Sequence, residues 1–152
     1  MVRKKAGLFT IGFLGTLFGA TLVLAMASDS SPTLYKRLGG YDAIAAVVDD
    51  FAPRLIKDPQ LGRFFQGASQ DSIRRIRQHL VDFVCQATGG PCYYFGRDMK
   101  TSHAGLGITE SDWQRMVEHF KVTLNKFQVP AKEQEELISL VATTKGAIVE
   151  KP

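Results

Sequence analysis

Cysteine and histidine are both scarce in this chain, with two and three copies among 152 residues. Cys85 and Cys92 have neither Cys-x-x-Cys nor zinc-type spacing, so no thiolate metal centre is encoded. A basic surplus is missing as well, once the N-terminus is set aside. Residues 1–27 hold three of the 19 Lys and Arg and none of the 15 Asp and Glu, leaving 16 against 15. Arg74, Arg75 and Arg77 are the one dense basic cluster, without interleaved aromatics, and read as a solvated helix face; nucleic-acid binding is excluded. There is no alternating strand pattern, no internal repeat, no phosphate loop and no nucleophile–base constellation.

Long apolar character is confined to the beginning. Arg3, Lys4 and Lys5 precede an uncharged stretch from Ala6 to Ala27 that ends Ala25-Met26-Ala27. Positive, then apolar, then small is the order of a secretory signal. The run is also long enough for an uncleaved membrane anchor. Both readings keep the basic flank in the cytoplasm and place the rest outside it, in the periplasm or on the inner membrane, touching the membrane only through this hydrophobic targeting helix. Residues 28–33 then form a polar linker. In an oxidising compartment Cys85 and Cys92 either pair or remain one buried and one free thiol.

Beyond the linker the apolar residues recur at helical spacing. A helix is expected from Tyr41 to Lys57, with Ile44, Val47, Val48, Phe51 and Leu55 on one face and Asp58-Pro59 as its stop. Pro53 should kink it by removing a donor and crowding the carbonyl of Asp49. A second helix runs from Gln70 to Thr88 with an inner stripe of Ile73, Ile76, Leu80, Phe83 and Ala87, ended by Gly89-Gly90-Pro91. An irregular stretch from Cys92 to Gly107 comes next. Thr109, with Asp112 three residues on, marks a capped helix reaching Phe127, and Pro130 opens a last helix carrying Leu137, Leu140, Val141 and Ile148. Four substantial helices make an all-α domain of roughly 120 residues with a modest core. So long an irregular segment in so small a fold is often functional, and a flat apolar cofactor at the centre accounts for both.

His103 lies before the capped helix among small residues, Ala104, Gly105 and Gly107, which leave room beside an imidazole. A neutral imidazole is a good ligand for haem iron, although a lone loop histidine is more often structural or exposed. His79 sits at the edge of the buried helix face, by its spacing from Ile76 and Phe83; such a residue is usually a satisfied boundary histidine, and otherwise a second ligand. His119 has no companion motif.

The landmarks, taken in order, resemble a known family. They are Leu34-Tyr35-Lys36-Arg37-Leu38-Gly39-Gly40, Asp58-Pro59-Gln60-Leu61-Gly62-Arg63-Phe64-Phe65, His79-Leu80-Val81-Asp82-Phe83, Gly89-Gly90-Pro91, Gly96-Arg97-Asp98-Met99 and His103-Ala104-Gly105-Leu106-Gly107-Ile108-Thr109. Each is weak alone; together they are similar to group I truncated haemoglobins over residues 34–150. The resemblance implies a two-over-two helical sandwich around haem b, with His103 as proximal iron ligand. It places Phe65, Phe83 and Met99 against the porphyrin, and Arg97 or Lys100 beside a propionate unless they are ordinary surface charges. His79 matches a position where some members have a second axial histidine. The distal side departs from the pattern: Ala52 stands where many members have tyrosine, and Ile76 and Leu80 where glutamine is frequent. Without those donors, very tight oxygen binding is not expected.

These residues are compatible with three function classes. The first is reversible binding of a diatomic gas (O2, NO or CO) at iron, extended by NO dioxygenase-like or peroxidase-like side chemistry with an unidentified reductase. The second is a bis-histidyl haem protein for electron transfer or redox sensing. The third is a helical interaction module that has lost haem, against which His103 and Phe65 count.

Overall fold

The structure is a computed structural model that describes residues 31–151. In chain order it contains α1 (Leu34–Arg37), α2 (Gly40–Lys57), a 3-10 turn (Gly62–Phe65), α3 (Gln70–Ala87), α4 (Met99–His103), α5 (Glu110–Lys126), α6 (Ala131–Ala142) and α7 (Lys145–Ile148). The only β-type pairing among the described residues is an isolated bridge between Thr109 and Lys151. The expected targeting segment, residues 1–27, lies outside the described residues. Among those described, no helix is long and apolar enough to cross a membrane.

Side-chain caps fix where the helices begin. Ser69 accepts the amide of Ser72 at the start of α3, and Asp98 accepts that of Thr101 at the start of α4. At α5, Thr109 and Asp112 satisfy each other's backbone donors in a capping box, so orphan amides of the first turn are not left bare. The helix α2 lies between two partners. Ile44 and Val48 pack with Val81 and Cys85 of α3. On its other side Phe51 meets Phe120 (5.1 Å between ring centroids), together with Leu124 and with Leu137 of α6. One helix pair, α2 with α3, thus packs on a second pair, α5 with α6, as the two-over-two arrangement requires. Cys85 and Cys92 form a disulfide, their α-carbons 5.8 Å apart, tying the buried end of α3 to the segment after it.

Three expectations need correcting. The buried stripe of α3 is Val81 and Cys85 rather than Ile73, Ile76, Leu80, Phe83 and Ala87. Those apolar residues form a neighbouring stripe that is half-buried, or exposed at Ile76, because α2 approaches α3 over the Val81–Cys85 edge. His103 is not in a loop; it ends the short helix α4, which the Asp98 cap nucleates. The last helix divides at Thr143-Thr144, leaving Ile148 in α7, because both threonine hydroxyls bond carbonyls of the preceding turn (Leu140 and Val141). The helix α2 continues through Pro53, whose ring is exposed.

Candidate functional site

His103 is held by its own helix. Its Nδ1 lies 2.8 Å from the carbonyl oxygen of Met99, one turn back, and 3.0 Å from Ser102 Oγ. A carbonyl only accepts, so Nδ1 carries the hydrogen and Nε2 keeps its lone pair. Metal-binding histidines are oriented by this kind of outer bond. Both His103 and Met99 are half-buried, so the ring retains access to an incoming group.

His79 sits on the half-buried stripe of α3. Tyr94, from the segment after the disulfide, meets it edge-on at 5.8 Å between centroids and meets Phe83 in the same way at 5.6 Å. Tyr94 is itself anchored: its amide donates to Gln86 Oε1 (2.6 Å) and its hydroxyl to the Arg97 carbonyl (2.6 Å). Desolvation pushes its phenol above the usual value. The imidazole of His79 has no hydrogen-bond partner among the described residues, so no protein group engages its lone-pair nitrogen. Leu80 packs on the α2–α3 cluster, and Ala52 is buried on α2. Arg97 and Lys100 are exposed, and their side chains make no ion pair among the described residues.

Phe64 and Phe65 occupy the short 3-10 turn, both half-buried. Two buried carboxylates fasten that turn to α5. Asp58 accepts the amides of Gln60 and Leu61 (2.9 and 3.0 Å), Arg115 Nε (2.9 Å) and His119 Nε2 (2.8 Å). Those bonds, led by the one from His119, hold its carboxyl far below the usual range. Burial pushes Asp112 upward, but hydrogen bonds from Gln60 and Thr109 and the Arg63 charge bring it below its ordinary value. Arg63 reaches Asp112 at 2.7 Å and lies over the Phe64 ring.

Asp58, Arg115 and His119 were missed as a site by sequence reasoning. A signal existed: an aspartate after a helix, whose side chain caps the next amides along the chain, and a basic pair four apart on α5. Nothing in the sequence marked Tyr94. The basic cluster on α3 behaves as a solvated face, Arg77 gripping Asp49 at 2.7 and 2.8 Å while Arg74 and Arg75 bond neighbours one turn away.

A family model described as bacterial-like globin matches residues 33–150 of the chain. The chain is 33% identical over 121 residues to the group 1 truncated hemoglobin GlbN of Mycolicibacterium paratuberculosis, covering 79% of this chain and 87% of that one. The chain belongs to the group I truncated haemoglobins. Another relative, GlbN of Nostoc commune, is 34% identical over 119 residues, 78% of this chain and 98% of its own. Among solved structures, THB1 of Chlamydomonas reinhardtii matches with a TM-score of 0.66 and 30% identity, covering 78% of this chain and 97% of that one. The truncated hemoglobin of Tetrahymena pyriformis shares the fold at a TM-score of 0.72 and 24% identity, over 78% and 98%.

As a truncated haemoglobin the protein uses haem and binds ligands at it. The residues present fit that group. Among the described residues no set of three or more His, Cys, Asp or Glu side chains is gathered for a bare metal ion. Single histidines such as His103 and His79 suit instead an iron already held in a porphyrin. The half-buried apolar side chains of α3, and those of Phe65 and Met99, are of the kind that packs against a porphyrin face.

Proposed function

We propose that this truncated haemoglobin binds haem b non-covalently through His103 and reversibly takes up a diatomic gas, with His79 gating the opposite face. The observation that carries the reading is the Nδ1–H of His103 directed at the Met99 carbonyl, 2.8 Å away, which leaves Nε2 as the free ligand nitrogen. Bound haem supplies a reversible ligand-binding position at iron. The chain's residues orient the proximal imidazole, cover the porphyrin with Phe65, Phe83, Leu80 and Ile76, and set the polarity around the ligand. Ala52, Ile76 and Leu80 offer no donor there, which favours quick exchange over storage. The relatives' names support haem and the globin class, and the choice among O2, NO and CO is ours.

The unpartnered imidazole of His79 favours a second reading, in which both histidines hold the iron and the protein transfers electrons or senses redox state. Ferric and dithionite-reduced spectra of haem-loaded protein decide between them. Low-spin bands in both states that His79→Ala converts to high-spin would establish double ligation; a high-spin ferrous parent would reduce His79 to a pocket residue. If His79 occupies the iron nine-tenths of the time, its removal raises apparent CO affinity about tenfold. His103→Ala should abolish normal ligation, and an unaltered haem spectrum in that variant would sink the assignment. Acidified butanone should extract all the haem, as haem b requires. We place the globin domain outside the cytoplasm on the strength of residues 1–27, and fractionation of cells expressing the whole chain tests that placement.

A further inference from the structure

The helix that ends in His103 has five residues, too few to stand without tertiary support. The bond from His103 to Met99 lies inside that helix, so it orients the ring relative to α4 but not α4 relative to the protein. Directly after His103 the chain makes a turn, Ala104–Gly107, in which Gly105 and Gly107 take left-handed backbone angles (φ 79° and 65°). The amide of Gly105 donates to one carboxylate oxygen of Glu150 at 2.6 Å, and that of Gly107 to the other at 2.5 Å. These two bonds are the principal reason that the Glu150 carboxyl sits below its ordinary value.

Glu150 is itself delivered by a fixed segment. Its amide and that of Lys151 both donate to the Ile108 carbonyl (2.9 and 3.2 Å), and the Glu110 amide donates to the Lys151 carbonyl (3.2 Å). Lys145 of α7 pairs with Glu110 at 2.8 Å. The C-terminal stretch of chain is therefore stitched to the start of α5, and its one carboxylate bridges both ends of the turn behind the histidine.

We propose that Glu150 is a positioning residue for the proximal histidine: by clamping the Ala104–Gly107 turn it fixes the direction from which His103 presents Nε2 to the iron. The inference rests on His103 being the iron ligand. Removing the carboxylate turns two amides out to water and leaves α4 held by its packing against α7 without the clamp on the turn that follows it.

The test uses the full-length haem-loaded chain carrying Glu150→Ala, Glu150→Gln and, as a control, Lys151→Ala, which keeps every backbone bond of the stitch. Three quantities are read: haem loss to an apoglobin acceptor, amide exchange at Gly105 and Gly107, and the ferrous iron–histidine stretching band in a His79→Ala background. Glu150→Ala should shift and broaden the band, expose both amides and speed haem loss about tenfold or more, the range typical of lost outer-shell contacts. Glu150→Gln, keeping one acceptor oxygen, should fall between, and Lys151→Ala should match the parent. A Glu150→Ala protein with the parent's band and haem-loss rate overturns the proposal, even if its Tm falls, since that combination means a purely structural clamp. Should Glu150→Ala fail to fold, the same comparison on Glu150→Gln decides. His103→Ala separates the two layers: an unchanged spectrum there defeats the ligand assignment and this inference together, whereas loss of ligation there with an inert Glu150→Ala defeats only this one.

Discussion

Leu80 packs on the α2–α3 cluster and carries no donor; the proposed function sets it beside the bound ligand. Leu80→Gln adds an amide, and a neutral hydrogen bond worth about 1 kcal/mol corresponds to roughly fivefold in affinity. Stopped-flow oxygen dissociation should slow by about that factor; an unchanged rate would mean that residue 80 does not reach the ligand. A different single-residue effect belongs to Asp50. Hydrogen bonds from Arg54 first, then Lys126 and Thr123, lower its carboxyl from the ordinary 3.8 to about 2. A depressed carboxyl stabilises the fold fully above its unfolded value, and the contribution disappears as pH falls through the folded one. Acid unfolding of Asp50→Asn should therefore lose part of the parent's slope between pH 3.8 and about 2, and parallel acid curves would show that these ion pairs add nothing.

Among the elements, α2 and α4 are the least ordinary. Pro53 stands inside α2 without ending it, since helices on both flanks hold the segment in place. Pro53→Ala restores a backbone donor toward Asp49 and should raise stability by up to about 3 kcal/mol, read as a higher urea midpoint. The disulfide closes a short loop between α3 and the segment leading to α4. Its loss, through Cys92→Ser or reduction, should cost about 2.5 kcal/mol on the chain-entropy argument, and unchanged thermal unfolding under dithiothreitol would contradict it. The bridge also anchors the segment just after it, which presents Tyr94 to His79, so haem spectra of the reduced protein should change together with stability. The helix α4 escaped the sequence pattern because five residues are too few for a period. Its one local signal was the cap: Asp98 bonds both the amide and the hydroxyl of Thr101, at 2.9 and 2.6 Å.

At the scale of the molecule, the apolar period of α2, α5 and α6, the cap at Thr109, and the stops at Asp58-Pro59 and Gly89-Gly90 were all legible, because each is set by neighbours within a turn or two. The order of short motifs around His79 and His103 was legible for the same reason, and it carried the family and hence haem. Which stripe of α3 is buried was not, because Ile76, Leu80 and Phe83 are as apolar as Val81 and Cys85, and only the approach of α2 chooses between them. Nor was the hub at Asp58, whose partners Arg115 and His119 come from a helix far along the chain, or the clamp of Glu150 on Gly105 and Gly107, which joins the segment after α7 to the turn behind His103. The long helices and the short motifs around His79 and His103 were thus written in the order of residues, since each depends on residue type and short spacing. The contacts that steady them belong to the folded molecule, because hydrogen bonds between residues far apart in the chain leave no periodic trace in it.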